Sequence, residues 1–211
     1  MEGDALAEAI RNAQRGDGRA YDLLVDWYSG RLFGFLFRLT GSRHDAEDLM
    51  QEVFVRLVRM LAAYNHDGRF EAWLFRIAAN LARDRARRAS RSPKATPGGG
   101  AAGYDDGAAG DPFEEIADRP RESGLSRMQA AEDSDRLNAA LAALSDSERE
   151  VILLRHFSQL SFKEIADLME TPLGTALARG HRGLQRLREL MESNPSSIDG
   201  DVSAATAARV K

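Results

Sequence analysis

The sequence contains no cysteine, which excludes disulfides and thiolate metal sites and leaves the redox compartment open. Its four histidines, His44, His66, His156 and His181, are scattered and show no HExxH spacing. There is no Walker A glycine loop and no cysteine nucleophile. An enzyme is therefore not expected, and neither a cofactor nor a metal is implied. No stretch approaches the roughly 20 apolar residues of a membrane span. The N-terminal MEGDALAEAI is acidic and lacks the apolar run of a signal peptide. These absences point to a cytoplasmic chain with no membrane partner. Residues 4–91 also lack the alternating pattern of strands.

What is present is charge, unevenly placed. The formal net charge is -4, which argues against a protein that coats nucleic acid indiscriminately. Yet Arg69 to Arg91 holds seven arginines against Glu71 and Asp84, so a basic face is local.

The stretch from Arg43 to Arg91 organises the chain. Ala46, Leu49, Met50, Val53, Phe54, Leu57, Val58 and Leu61 recur at three- and four-residue steps, an apolar stripe at helical period. Asp45, Glu47, Asp48 and Glu52 crowd the first turns, where the helix dipole tolerates negative charge. Taken alone, this run also fits a solvated face on a bundle helix. Further on, Phe70, Trp73, Leu74, Ile77, Ala78 and Leu81 form a second stripe. Arg76, Asn80, Arg83 and Arg87 lie along a different face of that helix, suited to phosphate contact and base-edge hydrogen bonding. The loop between them, residues 62–69, offers Tyr64, Asn65 and Gly68, materials for holding a splayed base.

Before this stretch, the spacing predicts a short helix over residues 4–14 and a long one over 21–39, separated by Gly16-Asp17-Gly18. Gly30 and Gly34 are soft points in the second, and Thr40-Gly41-Ser42 ends it. After it, residues 92–133 read as a flexible acidic linker, opened by Pro- and Gly-rich sequence that cannot sustain a helix. Pro112 to Ile116 is a small apolar island within it. A second domain spans residues 134–191. Leu137, Leu141 and Leu144 mark one helix, and Ser145 to Glu148 and Ser161 to Glu164 read as capping boxes opening two more. After a break at Glu170-Thr171-Pro172 comes a helix with Arg179, His181, Arg182, Arg186 and Arg188 over a stripe of Ala176, Leu177, Leu184, Leu187 and Leu190. Two short helices around a tight break, the second rich in arginine, form a helix-turn-helix pattern, though plain bundles contain such pairs too. Residues 192–211 read as a disordered tail. The expected fold is all-α: two small helical domains, residues 1–91 and 134–191, joined by a flexible linker.

The segments Asp45 to Phe54 and Phe70 to Asp84 closely resemble region two of extracytoplasmic-function sigma factors, small bacterial members of the sigma-70 family. Leu144 to Arg155, Leu160 to Ala166 and Pro172 to Thr175 resemble region four of the same family. The resemblance implies a promoter-specificity subunit. It implies that Asp45, Asp48, Leu49, Gln51, Glu52 and Phe54 dock on the clamp helices of the RNA polymerase core. Tyr64, Asn65, Arg69, Trp73, Arg76, Asn80, Arg83 and Arg87 would take and open the minus-ten element of promoter DNA. Pro172, Gly174, Thr175, Arg179, His181 and Arg182 would read the minus-thirty-five element, with region four also meeting the polymerase flap. An anti-sigma partner and a nucleoid-associated location are implied as well. The sequence departs from the family at Leu177 and Ala178, where a lysine and a serine are common, and at Gly180 and Gly183. The glycines would loosen the recognition helix or admit DNA or a partner close to its backbone. An ordinary dimeric helix-turn-helix regulator would account for the second domain but leave Asp45 to Asp84 unexplained.

Overall fold

The computed structural model describes residues 3–91 and 124–193, with side chains described for 3–90 and 132–193. Most of the predicted linker, its apolar island at Pro112 to Ile116 and nearly all of the predicted tail lie outside these residues. No strand occurs among the described residues. The helices are α1 (Gly3–Gln14), α2 (Gly18–Thr40), α3 (Arg43–Met60), α4 (Phe70–Arg91), α5 (Gly124–Ala142), α6 (Asp146–Ser158), α7 (Phe162–Leu168) and α8 (Leu173–Ser193), with a 3-10 turn at Leu61–Ala63.

Helices α1 to α4 form the first bundle, and its boundaries follow from local chemistry. Asp17 caps α2 by accepting from the Arg19 amide. Gly41 ends α2 at φ 71, in the left-handed region that glycine enters without strain, and its amide bonds Phe37 O. Ser42 then caps α3 through the Asp45 amide at 3.2 Å. Helix α2 passes unbroken through Gly30 and Gly34, both buried. Leu24, Leu32, Phe35 and Leu36 of α2 meet Leu49, Val53 and Leu57 of α3 and Phe70 and Leu74 of α4 in a closed core. Each such side chain contributes about 1.5–3 kcal/mol on leaving water. Gln14, the last residue of α1, donates to Leu61 O at 3.0 Å and Tyr64 O at 2.6 Å. It thereby ties the α3–α4 loop to the first helix.

Val58 departs from the expected stripe. It is 53% exposed, because α3 turns only Ala46, Leu49, Val53 and Leu57 inward and Met50 and Phe54 sit at the margin. Conversely, Phe75 lies off the predicted α4 stripe yet is fully buried, against Phe35 and Phe157.

Helices α5 to α8 form the second unit. Helix α5 begins at Gly124, well ahead of the expected domain boundary at Ser134, so the end of the predicted linker is helical. Ser161 and Glu164 make a complete capping box on α7: the Ser161 amide donates to the Glu164 carboxylate at 2.9 Å, and the Glu164 amide donates back to Ser161 Oγ at 3.3 Å. At Ser145 only half of the expected box forms. The Glu148 amide donates to Ser145 Oγ at 3.4 Å, while the Glu148 carboxylate accepts from the Ser145 hydroxyl at 2.7 Å and from Arg182 at 3.3 Å.

Gly180 and Gly183 prove to serve close packing within the unit. A Cβ at Gly180 would lie 2.6 Å from the Phe162 ring of α7, and one at Gly183 would lie 2.7 Å from Ile152 and 3.2 Å from Glu148 Cβ of α6. The close approach that sequence left open is therefore to α6 and α7, and the inward face of α8 is Ala176, Gly180 and Gly183. Leu177 and Leu184, expected in that stripe, are 45% and 55% exposed. Gly180→Leu should lower the unfolding free energy by about 1–3 kcal/mol, because α8 must back away from Phe162. A chemical-denaturation midpoint equal to that of the wild-type protein would show that the seam can absorb the added volume.

The two units touch. Phe35 and Phe75 of the first receive Phe157 of the second, with ring centroids 5.9 and 6.1 Å apart. One continuous apolar core results.

Candidate nucleic-acid and protein-docking faces

Helix α3 presents Asp48, Gln51 and Glu52 outward, with Val55 and Val58 one turn further along. The steps of three and four place them on one exposed face. Asp45 and Phe54 are half-buried beside it. Leu49 is a correction: at 1% exposed it belongs to the core and supports the face from beneath. Sequence reasoning missed Val55, which lies off the core stripe and is 49% exposed. Arg85 of α4 pairs with Asp45 and, at 3.3 Å, with Asp48; Arg56 pairs with Glu52 at 3.1 Å. The acidic face is thus partly compensated, and all these pairs remain in contact with solvent.

The loop and α4 carry the basic face. Gly68, at φ 83, and the Asp67 carboxylate, which accepts from the Arg69 amide at 3.0 Å, shape the turn into α4. Tyr64 lies against Trp73, with centroids 4.5 Å apart and planes 32° apart, and meets Phe70 edge-on. Burial pushes the Tyr64 hydroxyl up to about 12, with the Asp67 carboxylate adding to the shift, so the phenol stays neutral. Both rings are half-buried and form a semi-exposed aromatic shelf, with Asn65 exposed beside it.

Along α4, Arg76, Asn80 and Arg87 are exposed. Arg76 and Asn80 form no ion pair or side-chain hydrogen bond with any described residue. Arg83 behaves differently. It turns into the seam between the units, where its side chain is 17% exposed, and bonds Glu150 of α6 at 2.6 Å and Leu168 O of α7. Burial raises the Glu150 carboxyl while Arg83 opposes the shift. Arg69 likewise pairs with Glu164 of α7. The Ser161 hydroxyl, more than Arg69, holds the Glu164 carboxyl down at about 2. Sequence reasoning also missed Arg31, which pairs with Glu71, lies over the Phe75 ring and donates to Phe157 O at 2.9 Å. Nothing in the spacing of Arg31 within α2 signals such a role.

On the second unit, Pro172 and Gly174 are exposed at the start of α8, and Thr175 and Arg179 are half-buried. His181 and Arg182 are exposed, the latter pairing with Glu148 at 3.3 Å. The left-handed Glu170, at φ 49, makes the sharp turn that sets α8 across α7. Leu173, Leu177 and Leu184 join His181 on the outward side of the helix. Among the described residues, no cluster of histidine and carboxylates could hold a metal, and no helix is long and apolar enough to cross a membrane.

Comparison with known proteins bears directly on these faces. Residues 24–92 match the Sigma-70 region 2 model and residues 134–187 the Sigma-70, region 4 model. The chain is similar to the ECF RNA polymerase sigma factor SigW of Bacillus subtilis, 29% identical with 87% of this chain and 95% of that protein covered. It is 30% identical to the ECF RNA polymerase sigma-E factor of Haemophilus influenzae, covering 87% of this chain and 92% of that one. The solved structure of the sigma factor RpoE in complex with the anti-sigma factor NepR, from Bartonella quintana, shares the fold: TM-score 0.52 at 24% identity, over 82% of this chain and 96% of that one. The chain belongs to the extracytoplasmic-function group of the sigma-70 family, whose members are transcription initiation factors and not enzymes.

Proposed function

We propose that the chain recruits RNA polymerase core through α3, opens the minus-ten element with the α3–α4 loop and α4, and reads the minus-thirty-five element with α8. The observation that carries the proposal is the presence of an acidic, partly apolar face and a basic face on one bundle. Asp48, Gln51, Glu52, Val55 and Val58 point out from α3, while Arg76, Asn80 and Arg87 point out from α4. The α3 face combines carboxylates with apolar neighbours, as a helix needs when it docks on basic clamp helices and loses water. Tyr64 and Trp73 supply a stacking surface for an unpaired base, and Arg76 and Asn80 meet the backbone and base edges alongside. Unstacking costs a few kcal/mol, which stacking and phosphate neutralisation offset.

On α8, His181 and Arg182 face the duplex together with the exposed N-terminal residues Pro172 and Gly174. Leu177, 45% exposed on the same helix, offers an apolar contact suited to a thymine methyl. The second unit also meets the polymerase flap. By analogy with RpoE, an anti-sigma factor restrains the chain, which works in the cytoplasm at the nucleoid.

Reconstitution tests this. The purified chain is expected to co-elute with core polymerase and to start transcripts at a discrete set of sites in a genomic fragment library. Binding to duplex operator DNA at full strength without core, and no new start sites with it, would identify an ordinary helix-turn-helix regulator.

A further inference from the structure

We infer that Leu173 and Leu177 are specificity-determining residues: they select two thymines in the minus-thirty-five element by the C5-methyl groups those bases carry. The inference rests on the assignment of α8 to that element and names what the helix selects there.

Packing fixes which way α8 faces. Its buried residues are Ala176, Gly180 and Gly183, and the two glycines lie hard against Phe162 and Ile152, so the helix has one rotational setting on α6 and α7. At about 3.6 residues per turn, Leu173 and Leu177 then share one flank, while Thr175, Arg179 and Arg182 share the opposite one. Gly174 and His181 stand between the flanks on the outward side. Each of the two leucines is 45% exposed. A Cβ added at Gly174 would meet nothing within 4 Å, so the backbone between the flanks can come close to base edges. On the other flank Arg182, its side chain 61% exposed, is placed for phosphates. Leu184 lies on the leucine flank too, but it borders the apolar groove between α5, α6 and α8 and is about 10 Å beyond Leu177, so it is not one of the pair.

The chemistry of the major groove decides what such leucines recognise. Guanine and adenine display hydrogen-bonding groups there, which a leucine would strip of water without replacing the lost bonds. Thymine displays a methyl group, which a leucine buries at no such cost. Selection therefore works both ways, by gain at thymine and by penalty elsewhere. Four residues rise about 6 Å along the helix, and bases on one strand are about 3.4 Å apart. A helix lying along the groove thus brings the two leucines to thymines one or two steps apart. Where a lysine is common in the family, Leu177 exchanges a point charge for this apolar contact.

The test uses the full chain with core polymerase on a promoter identified by its transcript start. Thymines around the minus-thirty-five position are replaced one at a time by deoxyuridine, which removes the methyl and keeps the base pair. Affinity is measured on ice, before the DNA opens. Uracil should weaken binding by about 4-fold at each of two positions one or two steps apart, the worth of one buried methyl. Leu177→Ala should erase the uracil effect at one position and Leu173→Ala at the other. Leu177→Lys should erase it as well and steepen the dependence of log K on log salt by about 0.9. Uracil without effect at every position, or uracil effects that persist in both alanine chains, would overturn the inference. Scrambling the whole element separates the two levels. If scrambling weakens binding while uracil does not, methyl selection alone falls and α8 still reads the element. If scrambling changes nothing, the assignment of α8 falls and the inference falls with it.

Discussion

Asp48→Arg combined with Glu52→Arg is expected to abolish stable association with core polymerase while the free chain melts within a few degrees of its unaltered temperature. The fold should survive because neither carboxylate is in the core. Asp48 contacts Arg85 at 3.3 Å and Glu52 contacts Arg56 at 3.1 Å, and these side chains are about half-exposed at 45% and 47%. Exposed pairs of this kind contribute about 0–1 kcal/mol each. Across an interface the balance is different. Docking would strip water from the same two groups, with Val55 and Val58 closing over the contact. Losing one partner of a desolvated charge pair costs about 2–5 kcal/mol, and reversal adds repulsion. Two reversals should therefore weaken binding by well over about 100-fold, measured by size exclusion or competition with a labelled sigma factor. Undiminished association would remove α3 from the docking role.

The second large effect concerns DNA opening. Arg76→Ala with Asn80→Ala should leave holoenzyme assembly intact and reduce permanganate reactivity of thymines in the minus-ten element by about 10- to 1,000-fold. Base-edge contacts of this type contribute about 1–3 kcal/mol each. These two side chains isolate the DNA contribution because they form no ion pair or side-chain hydrogen bond with any described residue. Their removal therefore leaves no intramolecular partner stranded. Arg83→Ala would be ambiguous in this assay, since it also releases Glu150 and the Leu168 carbonyl. Ordinary reactivity in the Arg76, Asn80 variant would move strand capture to the Tyr64 and Trp73 shelf alone.

Much of this architecture was legible in the sequence because it is local. The cap at Ser161 and the stop at Gly41 are set by residues within a few positions of the helix ends. The α3 stripe was nearly readable, since a buried helix face repeats at the helical period, and only Val58 fell on the wrong side. What escaped depends on the other domain. Phe75 is buried because Phe157 reaches it from α6, and Arg83 leaves its row on α4 because Glu150, 67 residues away, draws it into the seam. The α8 glycines were visible but their purpose was not. Without Phe162 and Ile152 in place, a gap in side chains reads equally as room for DNA or for a neighbouring helix.

Gln14 carries a consequence for the timing of strand capture. By gripping two carbonyls of the segment that follows α3, it fixes the backbone beneath Tyr64 before any nucleotide arrives. A capturing loop assembled in advance forfeits little entropy at the moment of encounter. The first twelve-residue helix, which itself touches no DNA in this scheme, thus helps determine how readily a melted base is kept.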